Sequence, residues 1–348
     1  MTALLEFKHH VQHIFGLYEF YIMPLIRAAV AFVFFWWIND SMGYMPQLDN
    51  LLLIGVLALI CGILPPAATL FTGFTMMVIH CYALGIEAAG FMLVLLLLLA
   101  IFFLRFSAGT GLVLALTPLS FTVGFPVMLP IGAGLLSSGA AAVPAGCGVV
   151  LYYFVRFLQG QSATLANTDV ELVDKLHIMA DGIVRNWGMW ITVVAFILVI
   201  LLVNLIRTRS FDFAWRVAIV AGGVTYVVVM MVGSYYLSAT VDMTYLMVST
   251  LLAVVVGLVL EFFFFGGDYS RTERLEYEDD EYYYYVKAVP KATVSAPHRR
   301  VKKISGGPDI DQEPEMTGST YANPIFSPDE DETDLDLERK LEESLRDL

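Results

Sequence analysis

The chain has 348 residues, 58% of them hydrophobic and 15% charged, with a mean hydropathy of +0.71. Soluble domains run about 45–50% apolar and about 25% charged, so neither a soluble enzyme nor a disordered protein can account for the whole chain. The net charge of −13 is segregated: residues 1–267 hold 12 acidic and 9 basic side chains, and residues 268–348 hold 21 and 11. That is the pattern of a lipid-embedded body with an acidic tail, and it excludes nucleic acid as a partner for want of a basic stripe.

In chain order, residues 1–20 come first. Leu4, Phe7, Val11, Ile14 and Tyr18 recur at three- and four-residue steps, which predicts an amphipathic helix lying in the membrane interface. Glu6 and the HHVQH of His9–His13 have metal-ligand spacing. No second acidic cluster completes a carboxylate-bridged centre, so no metal or cofactor is assigned.

A helix needs about 20 apolar residues to cross a bilayer. Stretches near that length fall at 21–38, 48–64, 67–85, 88–106, 139–158, 187–206, 214–235 and 244–265. The expected fold is thus an all-α polytopic membrane domain over 21–267 with about eight spans. A ninth apolar stretch, 111–137, is interrupted by Pro118, Gly124, Pro126 and Pro130. Proline removes a helical donor and clashes one turn back, which predicts two short arms, 111–123 and 125–137. The Arg207–Arg216 loop is basic, whereas 39–47 and 236–243 hold no Lys or Arg. By the bias of Lys and Arg toward cytoplasmic loops, the first faces the cytoplasm and the others face outside. Parity closes only if 111–137 enters and leaves on one side, as a re-entrant hairpin with both termini cytoplasmic. Lys175 and Arg185 then lie in an outer segment, against the rule.

The fragments LLAIFFLRF (98–106) and VVLYYFVRF (149–157) are alike, and ILPP (63–66) and GFP (124–126) both break an apolar run. Read as repeats, 48–106 and 111–157 run in opposite directions, the arrangement of inverted-repeat transporters. Composition alone also makes such helices look alike.

In the tail, TERLEYE and YYYYVKAV flank Asp279-Asp280 and predict a small β-hairpin within 268–303, followed by a basic patch at 298–303. Residues 304–326 read as a disordered linker. Ser327 caps a terminal acidic amphipathic helix over 327–348, which could dock cytosolic or membrane subunits.

Non-helical backbone at membrane depth survives only inside protein or beside water. The candidate transport path is therefore the broken stretch, with Thr117, Pro118, Ser120, Thr122, Gly124, Pro126 and Pro130, together with the intramembrane ionisable His80 and Glu87. Arg27 is a possible ion-pair partner for Glu87. Cys61, Cys81 and Cys147 lie in apolar runs and form no motif. There is no GxxxxGK[ST], HExxH or GxSxG, so no enzyme activity is expected. The layout loosely resembles a permease subunit of a multicomponent transporter. The EAAG at 87–90 runs straight into an apolar span, however, and carries no residues over. Two functions are expected from this: a permease component of a multi-pass cell-membrane transporter, or a membrane scaffold recruiting partners through its tail.

Overall fold

The computed structural model describes residues 2–107, 110–167, 170–209, 211–237, 241–264, 273–278 and 282–288. The Asp279-Asp280 turn, the basic patch, the linker and the terminal helix lie outside the described residues. Among the described residues eleven α-helices form the body: α1 (Thr2–Met42), α2 (Leu51–Ile63), α3 (Pro66–Leu84), α4 (Ile86–Ser107), α5 (Gly111–Thr122), α6 (Met128–Leu136), α7 (Ala142–Ala166), α8 (Leu172–Val184), α9 (Trp187–Arg207), α10 (Ala214–Leu237) and α11 (Met243–Phe264). Strands β1 (Glu273–Glu278) and β2 (Tyr283–Ala288) pair antiparallel, with Glu273 opposite Ala288 and Glu278 opposite Tyr283.

Among the described residues, six helices are long and apolar enough to cross a membrane, and Leu51–Ile63, Ile86–Phe102 and Gly111–Thr122 are shorter apolar stretches. Large apolar side chains such as Leu52, Leu98, Ile101, Val224 and Leu251 stay exposed on the outside. A water-facing surface would not carry so many. The body is an all-α, multi-pass membrane bundle.

Local chemistry explains several boundaries. The α1 helix is kinked at Tyr18 (φ −114°, ψ 18°). Its first part packs on the end of α11, where Phe7 meets Phe263 edge-on, Gln12 donates to the Phe263 carbonyl at 3.0 Å and Lys8 lies over the Phe262 ring. Asn50 caps α2, accepting from Leu52 N–H at 2.9 Å, as short polar side chains do at N-caps. The Pro65–Pro66 pair then ends the α2 run, with Pro66 as the first residue of α3, where its missing N–H costs nothing.

Two cores share α7. One gathers α1 to α5 around Phe34, Phe35, Met77, Met92 and Phe154. The other gathers α6, α9, α10 and α11 around Ile131, Phe196, Val199 and Ile219. The α5 helix belongs to the first core and α6 to the second, so the broken stretch straddles both.

Candidate functional site: a tyrosine-lined cavity above a helical hairpin

The α5 and α6 helices run in opposite directions. Gly148 of α7 packs against Leu114 and Thr117 of α5, and Phe121 stacks on Tyr152 at 4.4 Å, so α5 runs beside the first half of α7. Returning, Gly134 of α6 packs on Val203 of α9, and Arg207 donates to the carbonyls of Leu135 and, at 3.1 Å, Ser137. Asn204 adds a bond to Ser137 O at 3.0 Å. These donors satisfy carbonyls that the end of α6 leaves over. The α4 helix runs antiparallel to α7, with Gly85 near Leu165 and Phe91 stacked on Phe154, so Arg105 and Ser138 emerge at one end of the bundle. Arg207 and Arg216 occupy that same end.

The tip between the arms has a specific construction. Gly124 has φ +87°, Phe125 N–H bonds to Ser120 O and Gly124 N–H to Phe121 O, each at 3.1 Å. This is a Schellman motif with glycine at its left-handed position and Pro126 just beyond it, where helix continuation is blocked. The three prolines differ in role. Pro118 lies inside α5 and gives no N–H to the Leu114 carbonyl, against which the Gly148 backbone packs. Pro126 closes the turn. Pro130 sits in the first turn of α6, where no intrahelical N–H is needed.

Phe121 is wedged between Tyr152 and Phe196, the latter at 5.7 Å and nearly parallel. Phe196 is in the middle of α9, so the tip reaches about halfway along the bundle. Above it opens a cavity of about 350 Å³, floored by Phe121 and Pro126 and walled by α7, α9, α10 and α11. Its wall includes Tyr152, Tyr153, Tyr226, Tyr245, Thr192 and Ser249, and Arg156, Val241 and Asp242 also line it. Val241 and Asp242 immediately precede α11, so the cavity opens at the end opposite Arg207. Tyr226 lies eleven residues from the end of α10, about 16 Å along the helix.

Of the residues expected on the path, Pro126 lines this cavity. The hydroxyls of Thr117, Ser120 and Thr122 donate back into their own helix, to Val113 O, Thr117 O and Leu119 O, each at 2.7 Å. Thr117 and Ser120 are buried in the packing of α5, and Thr122 is exposed. His80 is in the other core. Met45 N–H donates to its Nδ1 at 3.3 Å and its Nε2 lies 2.7 Å from Asn39 Oδ1, while Asn39 donates to Leu48 O. Both ring nitrogens are thereby used to pin the loop between α1 and α2. Beside it the Tyr44 hydroxyl is buried with no hydrogen bond among the described residues, and this burial pushes its pKa up to about 12.

Glu87 pairs with Lys175 of α8 at 4.0 Å. Arg27 is instead level with the α2–α3 turn, since Gly62 packs on Pro24 and Ala28 beside it. Arg185 and His177 both lie near Asp181, so both basic residues of the 159–186 segment have acidic partners. Glu261, 7% exposed, is held by Arg216 at 3.0 Å. Among the described residues no three His, Cys, Asp or Glu side chains gather as a metal site.

The sequence reading passes over the tyrosines. Tyr152 and Tyr153 enter it only as part of a repeat, and Tyr226 only as one residue of an apolar span. A signal was present: tyrosine favours the membrane interface, and Tyr226 falls in the middle of the 214–235 run. No family model, no curated protein and no solved structure matches this chain.

Proposed function

We propose that this protein is the permease component of a membrane transporter and that the cavity above the α5–α6 tip is its substrate vestibule. The observation that carries this reading is the cavity's position. It opens at one end of the bundle and stops halfway at a floor made by a broken helix pair, whose arms are anchored in two different cores. Movement of one core against the other would shift one arm relative to the other and open the floor. Transporters commonly place their sites at such breaks, near the midplane between two halves.

In this reading the bundle crosses the membrane eight times and α5–α6 is a re-entrant hairpin inserted from the cytoplasmic side. Arg105, Arg207 and Arg216 mark that side by the positive-inside bias, both termini lie there, and the vestibule faces outward. The ion pairs of Lys175 and Arg185 ease their placement outside. The acidic tail then serves to hold other subunits.

The test is water access. In a background without Cys61, Cys81 and Cys147, single cysteines at Phe121 and Met230 should react with a membrane-impermeant, charged methanethiosulfonate added outside intact cells. Cysteines at Leu114 and Ile131, buried in the arms, should not. A vestibule that is silent to the reagent while the protein is inserted and folded would refute the proposal.

A further inference from the structure

We infer that the vestibule binds a small organic anion, a carboxylate carried on a compact apolar or aromatic body. The inference rests on the permease reading for its biological sense, but on the lining for its chemistry.

Part of the cavity lining is apolar: Phe121, Pro126, Met230 and Leu246. A volume of about 350 Å³ is at the small end of ligand sites. This suits an acid of one ring or a short branched chain. Polar groups share the lining with them, and their hydrogen bonds reveal what they have left to offer. Thr192 gives its proton to Gly188 O at 2.8 Å, and Tyr153, 3.1 Å away, therefore donates to Thr192. Ser249 donates to Leu246 O. These groups are committed within the protein. The hydroxyls of Tyr152, Tyr226 and Tyr245 have no protein hydrogen bond among the described residues, although Tyr226 is only 3% exposed. The Tyr226 side chain lines the cavity, so its hydroxyl can donate to a ligand seated there.

The charges favour the same sign of ligand. Arg156 spends one contact on Gln159 Oε1, at 3.3 Å, and a guanidinium has five donors in a planar fork suited to a carboxylate. Asp242 also lines the cavity, but one of its oxygens accepts from the N–H groups of both Thr244 and Tyr245. It is the N-cap of α11, where the helix end offsets its charge. The aromatic faces are less available to a cation, because Tyr152 is covered by Phe121 at an interplanar angle of 12°. Phenolic donors and a guanidinium with donors to spare, beside a carboxylate already engaged by a helix end, make the site complementary to an anion.

The full-length protein in phosphatidylcholine nanodiscs would be titrated calorimetrically with phenylacetate, 2-phenylethanol and phenethylammonium, which share a body and differ in the head. Phenylacetate should bind at least tenfold more tightly than either of the others. Arg156→Gln and Tyr226→Phe should each weaken it about tenfold, while Arg185→Gln, on the surface of α8, should leave it unchanged. Tyr226→Phe keeps the packing and removes only the hydroxyl, and an unchanged melting temperature would show it folded. Preference for phenethylammonium or phenylethanol, insensitivity to both vestibule substitutions, or no binding of phenylacetate would each overturn the inference. If the Phe121 and Met230 cysteines still label from outside, the anion assignment alone has failed. If they do not, the permease reading has failed with it.

Discussion

Gly148→Ala is the sharpest probe of how the hairpin is held. A Cβ at Gly148 would stand 2.5 Å from Thr117 Cβ, 2.7 Å from its Oγ1 and 2.8 Å from the Leu114 carbonyl oxygen. None of these atoms is the end of a flexible side chain. Thr117 is fully buried and hydrogen-bonded to Val113, and Leu114 O is backbone. One added methyl must therefore push α5 away from α7. Overpacking of this kind costs about 1–3 kcal/mol. Gly160, on the same helix, has nothing within 4 Å of its added Cβ, and its change to Ala should cost nothing or gain up to about 1 kcal/mol. The assay is reversible unfolding of both variants in mixed micelles. The two should differ by at least about 1 kcal/mol, roughly fivefold in the unfolding constant. The double variant Gly148→Ala with Thr117→Ala removes one of the three close atoms, Oγ1, and should lose less than the sum of the two single changes. Equal stability of the two glycine variants would refute the packing of α5 on α7.

Other predictions follow from the same geometry. Gly124→Val should destabilise by about 1–2 kcal/mol because a side chain must adopt φ +87°, and Gly124→Asn by less, measured in the same unfolding assay. Lys175→Met should lower the melting temperature more than the double change Lys175→Met with Glu87→Gln, since the single variant strands a half-buried carboxylate; equal melting temperatures would show the pair to be uncoupled. Tyr44 keeps its proton in the folded state up to about pH 12, while an unfolded phenol loses it near pH 10. Its contribution to stability is thus complete below about pH 10 and is lost as pH rises toward 12. Tyr44→Phe should flatten the stability curve over that window without loss at pH 7.

Much of the fold was legible because lipid enforces simple rules. Long apolar runs between Gly, Pro and polar breaks gave α3, α9, α10 and α11 nearly to their ends. The helix breakers at Gly124 and Pro126 marked the turn between α5 and α6, since glycine at a left-handed position followed by proline leaves a chain few options. What stayed hidden depends on long-range contacts. Spacing could not tell Pro130, which costs nothing in a first turn, from Pro118, which shapes the contact with Gly148. Nor could it show that the Thr117, Ser120 and Thr122 hydroxyls turn back onto their own helix, or that His80 is fully engaged by Asn39 and Met45. The Glu87 partner, Lys175, lies 88 positions away on α8, and no local spacing joins the two. The vestibule draws its tyrosines from three helices, and no local pattern joins them.

The central claim is that a hairpin from one side floors a vestibule open to the other, and sidedness tests it most directly. Single cysteines at Arg105, Ser138 and Met230 would be labelled with an impermeant thiol reagent in right-side-out and inverted vesicles. Arg105 and Ser138 flank the hairpin, and both are exposed. They should label only in inverted vesicles, and Met230 only in right-side-out ones. Labelling of Arg105 and Ser138 from opposite sides would make α5–α6 a full crossing and contradict the account.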